Sequence, residues 1–518
     1  MFETNFSTID WYIVASYLVG TAIIGVLVNR YIHSVSDYMV GGRGARTALN
    51  VATYISTGLG LVTLMYASID AFSYGFAYVT LAVIGAAVGV FLGITGFAIS
   101  RLRQLNLLTI PEYFEKRFNR KVRILAGLIC AGAGILNMGL FPKMGATFIT
   151  YATGLGATGG DSTQIVNLIT SLLIVLVLLY TVVGGMVSVM VTDFLQFIVL
   201  SVGLALGIYF CLTAPDLGWS NIVNTLAEHR GEAVFNPFVS PSEGGYGWIW
   251  VLFNILVFFG ALICWAPEAS RALTAHDPRT ARLTFLLSGP GQFIRLAIPA
   301  LFAMAAFCLI SQHAGLTQHF FPDGLDGNAQ HAAQAMPLLL GKLLPVGLVG
   351  LLVAGLMAAF MSTHDSYLLC WSSVLTRDVV GPMMGRELSD RTQIKITRLI
   401  IVFIGAFLLI WGIWYPLPDS VWIYMSVTGT IYISGSMAAI IGGMYWRRAS
   451  SAGAMAALLC GLLAVVGLLA DLPQIKPYFP PWLTPPLLGL FTYVLCAVVF
   501  VVVSLLVPDR EPSALRED

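Results

Sequence analysis

Residues 53–75 read TYISTGLGLVTLMYASIDAFSYG, an apolar run with Gly58 and Gly60 at mid-span and Ser56, Thr57 and Thr63 beside them. Two interpretations are open to it: glycine-mediated close packing of a regular helix, or a helix that is interrupted. Unwound backbone inside a membrane survives only where it faces protein or a water-filled cavity, because lipid offers its polar groups no partner. A second run bears on the choice. Residues 258–273, FFGALICWAPEASRAL, carry Gly260 and then Pro267 inside another apolar stretch.

The composition makes lipid the solvent. The chain has 518 residues, of which 58% are hydrophobic and 10% charged, with a mean hydropathy of +0.84; soluble globular proteins carry about 25% charged residues. A formal net charge of +1 gives no reason to expect nucleic-acid binding. Cys130, Cys211, Cys264, Cys308, Cys370, Cys460 and Cys496 all fall in apolar runs without CxxC or His-Cys clustering, and read as small core residues. The acidic N-terminus MFETNFSTID lacks the basic start of a signal peptide, so the first apolar run is expected to be retained.

A span needs about 20 mostly apolar residues. Thirteen are expected: 10–31, 48–72, 76–100, 122–152, 163–184, 188–213, 247–267, 281–310, 345–376, 395–415, 420–446, 452–470 and 484–507. With the N-terminus outside, the inward loops are expected to hold Arg30, Arg43, Arg46, the RLRQ and EKRFNRKVR stretches, Arg271, Arg279, Arg282, Arg377, Arg386, Arg391, Lys395, Arg398, Arg447, Arg448, Arg510 and Arg516. Arg230, Lys476 and Lys342 fall outside. The positive-inside rule thus predicts N-terminus out, C-terminus cytoplasmic and an odd number of spans, in the plasma (inner) membrane. Residues 1–518 form a single transmembrane domain.

The interrupted runs are the second and seventh spans, five apart. Broken helices at corresponding places in two halves point to an inverted-repeat transporter. The first repeat is expected over 48–213 and the second over 247–446, with an extra N-terminal helix at 10–31 and two further helices over 452–507. The ninth span contains GLMAAFMSTHDSYLLCW, Gly355 to Trp371. On a helix, Ala359, Ser362, Thr363 and Ser366 share a face, with Asp365 at its edge. Buried hydroxyls and a carboxylate cost several kcal/mol in hydrocarbon. Such hard oxygen ligands suit a small dehydrated cation, and Na+ would offset the cost. Back-bonding of the hydroxyls to helix carbonyls is the alternative.

The stretch VVGGMVSVMVTDFLQ, Val182 to Gln196, resembles the signature of the sodium/solute symporter family, as MSTHDSYLL resembles its Met-Ser-Thr motif. DYMVGGR at Asp37 to Arg43 and TIPEYFEKRF at Thr109 to Phe118 are similar to its cytoplasmic loop motifs. The resemblance runs from about residue 37 to 380, in order. It implies an all-α LeuT-like fold of 5+5 inverted repeats with broken first and sixth core helices. It also implies a sodium site made by the carbonyls of Ser56, Leu59 and Ala359 with the hydroxyls of Ser362 and Thr363. Asp193 matches the family's fifth-helix aspartate, and with Asp365 and Ser366 would support that site or hold a second Na+. A proton or a structural partner are the other roles open to Asp365.

The function expected is sodium-coupled symport of a small organic solute, imported by alternating access. Candidate solute contacts are Gly58, Gly60, Thr63, Asn137, Lys143 and Trp265. Lys143 in NMGLFPKMGATF either meets a solute carboxylate or snorkels or pairs with a protein acid, and Arg295 raises the same question more weakly. Sugar-carrying members place Glu-Gln where Val62 and Thr63 stand, and an Asn or Gln near Trp265 or Ala266. A site without them leaves sugar hydroxyls unpaired, so a carboxylate or amino-acid-like solute is the first expectation. The alternatives are a sodium/sugar symporter, or a proton-coupled carrier using Asp193 and Asp365. No HExxH or GxSxG is present and only His364 lies within a span, so enzyme activity is not expected. The partners expected are the solute, one or two Na+ and the bilayer, with a monomer favoured.

Overall fold

The computed structural model describes residues 3–28, 47–157, 162–181, 186–239, 246–385, 389–418, 420–470 and 475–509. The loop motif Asp37–Arg43 and the start of the signature, Val182–Gly185, lie outside these residues, as do the side chains of Ser56, Thr57 and Asp193.

All regular structure among the described residues is helical. The first span is α1 (Thr8–Val28), and the second is split into α2 (Thr47–Gly58) and α3 (Leu61–Tyr74). Then come α4 (Val79–Thr95), α5 (Arg120–Asn137), α6 (Phe141–Ala152), α7 (Ser162–Thr181) and α8 (Met186–Thr213). The second half begins with α9 (Trp248–Cys264) and α10 (Ala266–Thr274), followed by α11 (Pro278–Leu287) and α12 (Gly289–Ser311). It continues with α13 (Leu348–Val374), α14 (Asp390–Trp414) and α15 (Val421–Tyr445), and closes with α16 (Ser451–Gly461), α17 (Val465–Ala470) and α18 (Pro485–Leu506). Each of the thirteen expected intervals holds helix. Among the described residues, nine continuous helical stretches are long and apolar enough to cross a membrane, and ten if a bent pair counts as one.

That pair is α9 and α10, bent by 45°. Trp265 breaks it with an extended backbone (φ −69°, ψ 116°), and Pro267 opens the next helix. Proline is tolerated there because the first turn has no intrahelical use for its missing N–H. The break between α2 and α3 has another cause. Gly60 is extended (φ −108°, ψ 170°), and the Thr63 hydroxyl donates to the Gly58 carbonyl at 2.7 Å, satisfying one group the unwinding exposes.

The centre of the bundle is α13. Its most apolar window is 89% buried, against 22% in α7 and 33% in α14. Asp10 of α1 caps it: Oδ1 accepts from the N–H groups of Gly347 (2.7 Å) and Gly350 (2.8 Å), placing a carboxylate at the positive end of the helix. Beyond its far end, Asp378 accepts from Arg123 (2.8 Å) and Thr109 (2.9 Å). Arg117 of the same loop motif donates to Gly443 O at 2.7 Å. The motif around Thr109–Phe118 therefore ties three helices together at one end of the bundle.

Candidate binding site at the helix breaks

The two breaks face a common cavity of about 960 Å³, its mouth included, a size suited to a small organic solute. The α2–α3 break contributes Gly58, Val62 and Thr63, and the α9–α10 break contributes Trp265, Pro267 and Glu268. Further polar lining comes from Thr363 of α13, Asn137 of α5, Arg271 of α10, Gln292 and Arg295 of α12, and Ser426 of α15. Aromatic walls come from Tyr54, Tyr66, Phe141, Phe258, Tyr367 and Trp422. Trp422 is fixed by donation from Nε1 to Asn254 Oδ1 at 2.7 Å and by stacking on Phe258.

Against α13 the break is tight. A Cβ on Gly60 would collide with Thr363 Oγ1 and stand 3.6 Å from the Ala359 carbonyl oxygen. The exposed turn of the first broken helix thus lies directly on the Ala359–Thr363 turn of α13. Thr363 Oγ1 donates back to Ala359 O at 2.9 Å, so the back-bonding geometry holds. Ser362 is 2% exposed and Leu59 is 4% exposed.

The remaining sequence-predicted residues divide. Thr63, Asn137, Gly58 and Trp265 line the central cavity. Both Asn137 amide hydrogens are spent on Met425 O (2.8 Å) and Thr428 Oγ1 (2.9 Å), so this side chain welds α5 to α15 as it faces the cavity. Lys143 is not on the cavity wall: its ammonium donates to Tyr415 O at 2.7 Å, at the C-terminal end of α14. Asp365 is fully buried and accepts from Thr181 of α7 through Oδ1, while Oδ2 has no hydrogen-bond partner among the described residues. Ser366 faces a second, adjoining cavity of about 640 Å³ beside Ser270, Arg271 and Thr109, and its hydroxyl also has no partner among the described residues.

Sequence reasoning gave little weight to the charges that dominate the cavity. Arg295, Glu268 and Arg271 are its charged lining residues. Arg295 pairs with Glu268 at 3.4 Å, and the two side chains are 11% and 20% exposed. A Cβ on Gly58 would stand 2.5 Å from the Arg295 guanidinium, so this arginine touches the first break and is paired to the second. The available signal was an acid directly after the helix-breaking Pro267, with an arginine inside the following apolar span.

The model of the sodium:solute symporter family matches residues 38–461. The sodium/sialic acid symporter SiaT of Proteus mirabilis is 24% identical over 479 residues, covering 89% of this chain and 90% of that protein. The sodium/pantothenate symporter of Haemophilus influenzae is 25% identical over 453 residues, covering 86% of this chain and 87% of its own length. A solved structure of a Na+-coupled sialic acid symporter superposes with a TM-score of 0.77 at 19% identity, over 98% of this chain and 100% of that one. This likeness bears out the LeuT-like fold.

Proposed function

Since the chain belongs to the sodium:solute symporter family and is a membrane transporter with Na+ as its coupling ion, we propose that its solute is a small organic monoanion. The observation that carries this reading is the charge of the cavity. Arg271, Arg295 and Glu268 are the charged groups of a chamber whose other lining side chains are neutral. A guanidinium on the wall of such a chamber is well shaped to hold a solute carboxylate. The relatives named for sialic acid and pantothenate carry acids of this kind. A sugar is disfavoured, because the Asn137 amide hydrogens are already committed within the protein.

The first Na+ binds between the α2–α3 break and α13, to the carbonyls of Ser56, Leu59 and Ala359 and the hydroxyls of Ser362 and Thr363. Its support is the contact of Gly60 with Thr363. A second Na+ binds at the free oxygen of Asp365 together with Asp193 and Ser366. The first ion fastens the broken helix to α13, and Gly58 and Thr63 on that helix face the solute. Ion and solute therefore stabilise one geometry and bind with positive coupling. Residues 48–213 and 247–446 act as the two inverted repeats and rock about this centre. The N-terminus lies outside, the C-terminus in the cytoplasm, and the transporting unit is a monomer.

The test is uptake into proteoliposomes of radiolabelled monocarboxylates and of their neutral amides, with an inward gradient of Na+ or of choline. Uptake of the acids alone, and in Na+ alone, is expected. Equal uptake of acid and amide would exclude the monoanion.

A further inference from the structure

The central cavity has two chemically different ends. At one, Arg295 abuts Gly58, just before the first break, and pairs with Glu268, just after the second. Tyr54 belongs to the same end: its hydroxyl accepts from Gln292 at 2.8 Å and interacts with Glu268. At the other end, Tyr66 of α3 and Phe258 of α9 both pack on Trp422 of α15, with ring centroids 5.4 Å and 5.5 Å away. We propose that the solute is an aryl carboxylate, with its carboxylate at Arg295 and its ring among Tyr66, Phe258 and Trp422. The inference rests on the monoanion reading above and names the body of that anion.

The order of residues along the two broken spans accounts for this division. In the first span Gly58, against which Arg295 lies, precedes the break and Tyr66 follows it. In the second, Phe258 precedes Trp265 by seven residues and Glu268 follows it by three. The repeats are inverted, so these opposite orders bring the charged groups to one side of the breaks and the rings to the other. The two ends are close enough for one small molecule, because Tyr66 interacts with the Arg295 guanidinium while its ring packs on Trp422.

The ring end suits a planar apolar body better than a hydroxylated or flexible one. Ser426, one turn along α15 from Trp422, donates to Ile423 O at 2.9 Å, and Asn137 commits both amide hydrogens to the same helix. Trp422 is held by Asn254 at 2.7 Å, so this wall is fixed before a solute arrives, and a rigid ring loses little freedom on joining it. Aromatic rings also attract one another through their quadrupoles, in offset or edge-on arrangements, beyond what apolar area alone supplies. A saturated ring of similar size lacks that share.

The experiment is calorimetric titration of the purified full-length protein in Na+ with benzoate and cyclohexanecarboxylate, and with the amide of each as the neutral control. Benzoate is expected to bind about fivefold more tightly than its saturated counterpart. Phe258→Leu keeps the wall apolar and removes one ring, and should narrow that ratio toward one through loss of benzoate affinity. Tyr66→Leu makes the same test at the facing helix and serves if the first variant does not fold. Acids that bind with a ratio of one or less, or with a ratio that neither variant moves, overturn the aryl solute and leave the monoanion reading standing. Amides that bind as tightly as their acids overturn the monoanion reading and this inference with it. No binding of any of the four compounds overturns both.

Discussion

Thr363 of α13 lies against Gly60, at the break in the second span, so closely that no side chain fits between them. Gly60 has a negative φ, so contact, not backbone strain, demands glycine. Gly60→Ala should lower stability by about 1–3 kcal/mol through overpacking, and it should push the break off α13. The check is a melting curve at increasing Na+: the variant melts earlier and needs more Na+ for the same stabilisation. Adding Thr363→Ala should restore the melting temperature without restoring the Na+ response.

The hydroxyls of Ser362 and Thr363 are both buried, at 2% and 6% exposure. Loss of one neutral ligand from a cation cage should cost about 1–2 kcal/mol, or roughly tenfold in affinity. Ser362→Ala and Thr363→Ala are expected to raise the Na+ concentration for half-maximal uptake by about that factor at unchanged expression. Uptake with unaltered Na+ dependence in both variants would remove the ion from this position.

The glycine pair marked the first break without explaining it, since contact with Thr363 and not backbone strain demands Gly60. The second break was legible because its cause is local: a proline within an apolar run interrupts the helix whatever surrounds it. The polar face of α13 was legible for the same reason, since helical spacing alone aligns Ala359, Ser362 and Thr363. Direction across the bundle was not. Ser366 continues that face by spacing, yet points into the second cavity, while Asp365 turns to Thr181. Lys143 and Arg295 looked alike as lone cations in apolar spans, and packing assigns one to a helix end and the other to the cavity. Nothing within either span carries that difference.

Lys143 bonds the carbonyl at the C-terminal end of α14, where the helix dipole favours a cation. Lys143→Met keeps the apolar stem and removes the charge. It is expected to destabilise the protein by about 1 kcal/mol, measured as a lower melting temperature. Discrimination between a carboxylate and its amide should stay as it is. Lost discrimination would return this lysine to the solute site.

His331 stacks on His319 with ring centroids 4.6 Å apart, in a connection outside the long apolar helices. Burial, and then the neighbouring His319, hold its imidazole below the usual histidine range. The unfolded chain therefore takes up this proton first as the pH falls. Stability should be full above the ordinary histidine value of about 6.5, decline below it, and level off once the folded protein is also protonated. Melting temperatures between pH 7.5 and 5 should show this slope, and His331→Asn should flatten it. Asparagine suits the substitution because the backbone there has φ +55°, a region it tolerates.

The proposed second Na+ site at Asp365 bears directly on the energetics. Carried with one Na+, a monoanion moves no net charge, and a tenfold Na+ gradient supports only about tenfold accumulation. A second Na+ squares that factor and adds one net charge, worth about 2.3 kcal/mol at 100 mV, or roughly fifty-fold more. Asp365 is the buried carboxylate on α13, and one of its oxygens is left unpartnered by Thr181. Asp365→Asn keeps the shape and the Thr181 contact while removing the charge that would hold the second ion. Tryptophan fluorescence titrated with Na+ should give a Hill coefficient approaching two for the unmodified protein and one for this variant. Benzoate uptake should accordingly change from voltage-sensitive to voltage-indifferent. Hill coefficients that are equal in the two proteins would make Asp365 a structural acid and leave the transporter with a single coupling ion.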